Sequence, residues 1–443
     1  MIGLSFPRKR ESRIRKNWSW IPAFAGMTAV ICNQTDNCSV INMVTITKLL
    51  QKELLIEQVA SGHKLRFGCP PQFVAYAPGR IEVLGNHTDY NEGYVLSAAI
   101  DAGICAAVSE GERKHCILSA LDVGEDAEFN LPAEKPIKSP HWANYLIGVV
   151  NKLGAVGKIE RGFNLTFAGD VPPGAGLSSS AALEVSAALV LSSFYGLELP
   201  KIQLAKLCQQ AENEFTGARC GLLDQISSLF GAEQALIFTD FRSLTVDTEK
   251  IGADACFLLA NTGVKHNLVE SAYNERRASC EQAAQYFASV LTHTVKALRD
   301  VSPEELKKHS AGLDRIVFKR AAHIIAENAR VLEARRLLKA GDMKKLGKLM
   351  FESHESSRVD FENSCQELDF IVETAKDLPG IYGARLSGGG FGGSAVLLVN
   401  PNNAGQVGAA ISSAYAKRFG RPCQVRIIKP SAGAQVVRPG SIG

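Results

Sequence analysis

From Phe73 to Ala107, short apolar runs alternate with Gly and Asn turns, a pattern that predicts strands. "RGFNLTFAGDVPPGAGLSSSAALEVSAALVLSSFYG" then reads as a strand, a Gly/Pro loop and a long apolar helix, capped by serines at its start and by Gly196 at its end. "IQLAKLCQQAENEF" has helical periodicity, "TGARCG" is a loop, and "LLDQISSLF" predicts a third helix. "DACFLLANTG" predicts a strand opening a second domain. Residues 267–350 read mostly as charged amphipathic helix, and "GARLSGGGFGGSAVLLVNP" as a loop followed by a buried strand. A further helical pattern, "MVTITKLLQKELLIEQVA", starts at Met43. The chain is a mixed α and β protein with about two domains and no internal repeat.

A length of 443 residues with 46% hydrophobic and 21% charged side chains is ample for two cores. The formal charge of +4 is misplaced as a signal for nucleic acid. Residues 1–42 carry Arg8, Lys9, Arg10, Arg13, Arg15 and Lys16 against Glu11 and Asp36, which accounts for all of it. The body from Met43 onward is neutral, which argues against broad electrostatic binding of nucleic acid or membrane. The 11 cysteines are odd in number, scattered and without a CxxC pair, so free thiols in a reducing cytoplasm are expected. The opening stretch mimics a signal peptide, but Pro22 interrupts an apolar run that is already too short to span a bilayer. It also resembles the translation of a dispersed bacterial repeat. Residues 1–42 are therefore expected to be a non-native or disordered extension, with Met43 as the true start.

Two patterns carry candidate chemistry. "PPGAGLSSSAA" lies between a predicted strand and a predicted helix, where unpaired N–H groups and the positive end of the helix dipole favour an anion. Glycines let the backbone wrap a phosphate closely, and serines add donors or a metal ligand. A Gly-Pro turn with a serine cap reads equally well from this segment alone. No P-loop is present: "GDMKKLGKL" comes nearest to GxxxxGK[ST] and ends in Leu. "SGGGFGG" is either a second close-approach loop or a tight turn. "AENEFTGARCGLLDQ" sets Glu212 and Asp224 on successive helices across a glycine turn, as a metal ligand and a hydroxyl-orienting base in phosphoryl transfer would require. Taken singly, each reads better as an ordinary helix acid.

Together these pieces are more specific. "APGRIEVLGNHTDYNEGYVL", "GDVPPGAGLSSSAALEVSAAL", "CGLLDQISSLFG" and "GARLSGGGFGG" stand in the order and spacing of the galactokinases, so the chain from Phe73 to Leu398 resembles that family of GHMP small-molecule kinases. The resemblance implies an α+β fold with a ribosomal-protein-S5-like N-terminal half over 43–245 and a ferredoxin-like C-terminal half over 246–443, the active site lying between them. It implies ATP and Mg²⁺, a hexose acceptor (galactose first), and a cytoplasmic monomer. Asp224 matches the catalytic aspartate and Arg80 its partner. Pro173, Gly174, Ala175, Gly176, Leu177, Ser178, Ser179 and Ser180 match the ATP loop, and Ser180 and Glu212 the Mg²⁺ ligands. His87, Asp89 and Tyr273 match sugar-contacting positions, and Trp142 is a weak candidate for the nucleotide pocket.

Three residues depart from the family pattern. Asn86 stands where "GEHTDYN" has glutamate, Ser97 where a proline follows "VL", and Asn213 where a histidine follows Glu212. Asn86 offers one acceptor and an NH₂ donor at a sugar-contacting position, so it admits an acidic sugar such as galacturonate besides galactose. A related kinase for an acidic or amino sugar is thus the second reading. A non-catalytic sugar sensor is the third, disfavoured by the intact "GLSSSAA", Glu212 and Asp224.

Overall fold

The computed structural model describes residues 39–172, 174–265 and 269–437. Lys48–Gly443 form one compact unit and Met1–Thr47 another, of which only the helical residues from Ser39 are described. The expectation for residues 1–42 therefore falls almost wholly outside the described residues. Helix α1 (Ser39–Phe67) contains the stretch predicted as helical, and its Leu55, Ile56 and Val59 pack on Val74 and Tyr76 of β1 (Phe73–Leu84).

After β1 come β2 (Tyr94–Glu110), β3 (His115–Ala120), β4 (Glu125–Asn130), α2 (Ala143–Val156), β5 (Phe163–Gly169), α3 (Ser179–Tyr195), α4 (Lys201–Phe215) and α5 (Leu223–Phe230). They are followed by β6 (Ala235–Asp240), β7 (Thr245–Lys250), β8 (Cys256–Lys265), α6 (Val269–Val290), α7 (Pro303–Lys308), α8 (Arg315–Ala340) and α9 (Met343–Ser356). The chain closes with α10 (Gln366–Lys376), β9 (Ile381–Ser387), β10 (Gly392–Val399), α11 (Ala404–Phe419), β11 (Gln424–Ile428) and β12 (Gln435–Val437).

The first sheet has eight strands in the order β12-β1-β2-β5-β3-β4, with β6 paired to β2 and β7 to β6. Pairing is antiparallel except between β3 and β5. Helices α2 to α5 cover one face, because α3 is apolar nearly all round and must be enclosed. Its end is as read: Gly196 takes φ 68° and closes the helix. The second sheet is antiparallel in the order β11-β8-β10-β9. Traced through its helices it is a strand–helix–strand–strand–helix–strand unit, as the ferredoxin-like expectation requires.

"SAVLLV" in β10 is a continuous apolar run because both of its faces are buried. Ala395 and Leu397 join the α10–α11 core, while Val396 and Leu398 join a core shared with Ile81, Val83 and α8–α9. One reading is corrected: "GARLS" belongs to β9, paired along β10, rather than to a loop. The loop is the glycine turn after it. The nine cysteines among the described residues are all free thiols.

Candidate active site

β1 delivers Arg80 and Glu82 to one end of the first sheet, two residues apart and so on one side of the strand. The chain then turns sharply. Gly85 sits at φ 106°, where a Cβ would meet Tyr94 O at 2.6 Å, so no larger residue fits. His87 follows in the left-handed region at φ 59°, a strained conformation for a non-glycine residue and held here by its surroundings. Its Nε2 donates to Gly389 O at 3.1 Å, which leaves Nδ1 to accept from the Tyr90 hydroxyl at 2.8 Å. The ring packs on Phe361 and Tyr273, with centroids 4.6 and 4.8 Å away.

The turn is fastened from behind by a residue that sequence reasoning missed. Glu327 on α8 is fully buried, and its Oε1 accepts from Gly85 N at 2.8 Å, Asn86 N at 3.2 Å and the Ser353 hydroxyl at 2.7 Å. Burial pushes its carboxyl up, but Arg330, Arg385 and these N–H groups outweigh that and hold it well below the usual range. Glu327→Gln should raise the KM for the acceptor sugar about tenfold while leaving the KM for ATP within twofold. A parallel rise in both constants would mean general unfolding instead.

Arg80 is the junction of the site. Its Nε and Nη2 each donate to Asp224 Oδ1 at 2.7 Å, and its Nη1 donates to Gly176 O at 2.7 Å. Asp224, in the first turn of α5, also accepts from the Ser178 hydroxyl at 2.5 Å through Oδ2. That bond corrects the reading of a helix capped by serines: the Ser178 hydroxyl is spent on Asp224, and the start of α3 has no side-chain cap among the described residues. The first N–H groups of α3 are thus left without a capping side chain. Gly174 and Gly176 take φ 71° and 70°, while Ala175 and Leu177 are buried anchors. Pro173 lies outside the described residues. The second glycine loop lies against the first: a Cβ on Gly388 would stand 3.2 Å from Gly176 O.

Glu212 is not a solvated helix acid; it is buried near the end of α4. Its Oε2 accepts from Gln225 Nε2 at 3.0 Å and Cys220 Sγ at 3.3 Å, and the Ser180 hydroxyl also hydrogen-bonds it. Burial and the neighbouring Asp224 push its carboxyl above the usual range. Glu184 is likewise pushed well up by burial and by Glu212, and its Oε1 has no hydrogen-bond partner among the described residues. Two family departures are absorbed locally. Asn213 Oδ1 accepts from Cys220 N at 3.1 Å, fixing the turn between Glu212 and Asp224, and Ser97 shares a 2.7 Å hydrogen bond with Ser227 of α5.

Arg80, Glu82, Asn86, His87, Asp89, Asp224 and Tyr273 line one cavity of about 90 Å³, closed by Gly221, Gly388 and Gly389. Asp89 lies against Gly221, and its carboxyl is pushed up to about 6, first by burial and then by Asp224 and Glu82. Trp142 stands apart: it packs edge-on to Phe167, and its Nε1 donates to Glu125 at 3.1 Å. A larger groove of about 630 Å³ near α9, α10 and α11 shares no lining residue with the cavity.

Asn86 overturns one expectation. Its Nδ2 hydrogens already go to Glu82 Oε1 at 2.9 Å and Gly388 O at 2.8 Å, and its Oδ1 accepts from Asn363 at 2.8 Å and Ser357 at 3.4 Å. The side chain is fully buried and fully committed, with no donor left for a sugar carboxylate.

Burial pulls the imidazoles of His63 and His87 down to about 4 and that of His323 to about 3. All three are neutral when folded at pH 7, while the unfolded chain takes up their protons below about 6.5. Their contribution to stability should therefore fall as pH drops from about 6.5 toward 4, against the opposite contribution of the raised carboxyls of Asp89, Glu184 and Glu212. The Tm of His63→Gln should accordingly fall less over that window than that of the wild type, and parallel curves would contradict the assignment.

The family model for the GHMP kinase N-terminal domain matches residues 144–232, that for the GHMP kinase C-terminal domain 334–417, and the galactokinase galactose-binding signature 61–110. A galactokinase of Glaesserella parasuis is 38% identical over 387 residues, covering 86% of this chain and 99% of the relative. One of Actinobacillus pleuropneumoniae is 40% identical over 378 residues, covering 84% and 96%. The crystal structure of Lactococcus lactis galactokinase complexed with galactose superposes with a TM-score of 0.81 at 33% identity, covering 86% of this chain and 99% of that one. A mevalonate kinase at 19% identity and TM-score 0.53 shares the fold alone. With both GHMP domains present and nearly the whole length of these relatives matched, the chain belongs to the galactokinase family of two-domain α+β sugar kinases.

Proposed function

We propose that the protein transfers the γ-phosphoryl group of ATP to the anomeric hydroxyl of galactose, giving galactose 1-phosphate and ADP. The observation that carries this reading is the junction at Arg80, which ties Asp224 at the cavity to the glycine loop at the start of α3. The sugar hydroxyl oxygen forms the new bond to phosphorus as the bond to the β–γ bridging oxygen breaks. Asp224 orients the hydroxyl and accepts its proton, and Arg80 stabilises charge on the phosphoryl oxygens in flight. Gly174 to Ser180 and the first N–H groups of α3 would hold the ATP phosphates. Ser180 and Glu212 would hold Mg²⁺, whose chemistry is to neutralise charge on the phosphate oxygens. Glu184 and Asp224 surround Glu212 with like charge, which a cation held there would relieve, although no three acidic side chains among the described residues converge as a ready-made metal cage.

The cavity walls favour a neutral sugar: Glu82, Asp89 and Asp224 line them, and Asn86 has no free donor, so a hexuronate would add a fourth carboxylate. We take the enzyme to act as a monomer. No described helix is long and apolar enough to cross a membrane, and we place the enzyme in the cytoplasm, where ATP is supplied.

The test is ADP release by the Met43–Gly443 protein with Mg-ATP and galactose, galacturonate, glucose or N-acetylgalactosamine. Preference for galactose is expected, and preference for galacturonate would overturn the reading. Glu212→Gln should raise the Mg-ATP concentration needed for half-maximal rate about tenfold, with galactose affinity by calorimetry unchanged. An equal loss of galactose affinity would move Glu212 out of the nucleotide site.

A further inference from the structure

Asn86 puts an amide where the family pattern has glutamate, yet a carboxylate stands in this wall four residues earlier. Glu82 is 2% exposed and lines the cavity. Its Oε1 accepts from Asn86 Nδ2 at 2.9 Å and from Arg385 Nη1 at 2.8 Å, and Arg385 is itself fully buried. Among the described residues Oε2 has no hydrogen-bond partner. Unlike the sealed Oε1 of Glu184, this oxygen keeps accessible surface, and the space it opens on is the cavity that Glu82 lines. Asn86 and Arg385 thus fix the carboxylate from behind and leave one oxygen facing the ligand.

Resting on the galactokinase reading above, we infer that Glu82 is a specificity-determining residue that accepts a hydrogen bond from a non-anomeric hydroxyl of the sugar through Oε2, with Asn86 and Arg385 as positioning residues. Arg80 and Glu82 are alternate residues on β1 and stand about 7 Å apart along the strand. With Arg80 beside the reacting hydroxyl through Asp224, Glu82 reaches the opposite part of the ring. The role explains why Asn86 spends a hydrogen on a carboxylate. It also makes the site selective for sugars that can donate at that position.

Glu82→Gln is the discriminating change. Oε1 lies between two donors, so the amide oxygen is held there and the NH₂ group turns to the cavity, replacing an acceptor with a donor. The measurement is kcat/KM of wild type and Glu82→Gln with galactose and its 2-, 3-, 4- and 6-deoxy analogues, with Tm recorded for both proteins. With galactose, the variant should lose tenfold or more. With one deoxy sugar, the one lacking the hydroxyl that Glu82 holds, the two proteins should agree within threefold. A penalty equal across all analogues would mean a purely structural role and overturn the inference, as would no penalty at all. Because the variant could fold poorly, the wild type supplies a second reading. At the same ring position fluorine, which cannot donate, should be no better than hydrogen, and full activity of all four fluoro sugars would overturn the inference independently. Wild type inactive on galactose itself would overturn the functional reading and this inference with it. An active wild type with a uniform penalty overturns this inference alone.

Discussion

Asp224→Asn should lower kcat by roughly 10²- to 10⁴-fold, the range expected for loss of a positioned general base, with the KM for galactose changing less than tenfold. The substitution keeps the shape of the junction. The amide oxygen can stay on Arg80, whose Nε and Nη2 both point at Oδ1, and the Ser178 hydroxyl can rotate to accept from the new NH₂. What is lost is the capacity to take a proton and the negative charge facing the hydroxyl. Asp224→Ala is expected to behave differently. It strips the anion partner from an Arg80 side chain only 6% exposed, a change that costs about 3 kcal/mol or more where a buried pair is broken. The pair of variants therefore separates chemistry from folding. Steady-state rates with a thermal melt would decide it, and a kcat for Asp224→Asn within tenfold of wild type would remove Asp224 from the base role.

Asn86→Glu carries the second large effect, and it runs against what comparison of signatures alone invites. Restoring the family's glutamate looks like a repair. In this structure it sets a carboxylate where an NH₂ group now donates to Glu82 Oε1 and Gly388 O. Two favourable bonds become acceptor–acceptor contacts around a fully buried side chain, one of them between like charges. Breaking such a buried arrangement costs about 3 kcal/mol or more, so Tm should fall by about 5 °C or more and activity with every sugar should fall together. Adding Glu82→Gln to Asn86→Glu removes one of the two charges and supplies a donor between them, so the double variant should recover part of the lost Tm. A single variant as stable and active as wild type would show that the network is not the constraint described here.

Much of the site was legible because its backbone needs leave marks in the sequence. Gly174 and Gly176 stand where the loop takes positive φ, Gly85 where neighbouring backbone excludes a Cβ, and Asp224 in the first turn of a helix. The strands of the cores were legible where they are apolar, as in β8 and β10. Other elements left weaker marks. β4 (EDAEFN), apolar only at Ala127 and Phe129, and β7 (TVDTEK), apolar only at Val246, are largely exposed strands, and pairing with β3 and β6 makes them strands. "GARLS" was overshadowed by the glycines that follow it, although its register with β10 runs from Ser387 to Ile381.

By itself the sequence determined the resemblance to the galactokinase family, carried by the order and spacing of its motifs, and with it an α+β kinase fold; the anion-binding loop and the Arg80–Asp224 and Ser180–Glu212 roles came with that resemblance as expectations. The loops and helices that carry them follow from local constraints, since a positive φ, a helix start or a buried strand restricts residue type at the position itself. Only the tertiary structure decided what Asn86 does and which residues stand behind the turn. Glu327, Arg385 and Asn363 lie 241, 299 and 277 positions beyond it in the chain, yet Glu327 and Asn363 bond Asn86 directly and Arg385 reaches it through Glu82. A hydrogen bond's partner is set by where the folded chain brings a donor, and spacing along one sequence carries no record of that distance. So the same amide that reads as a free donor in the sequence becomes, once folded, the fixed support of a carboxylate.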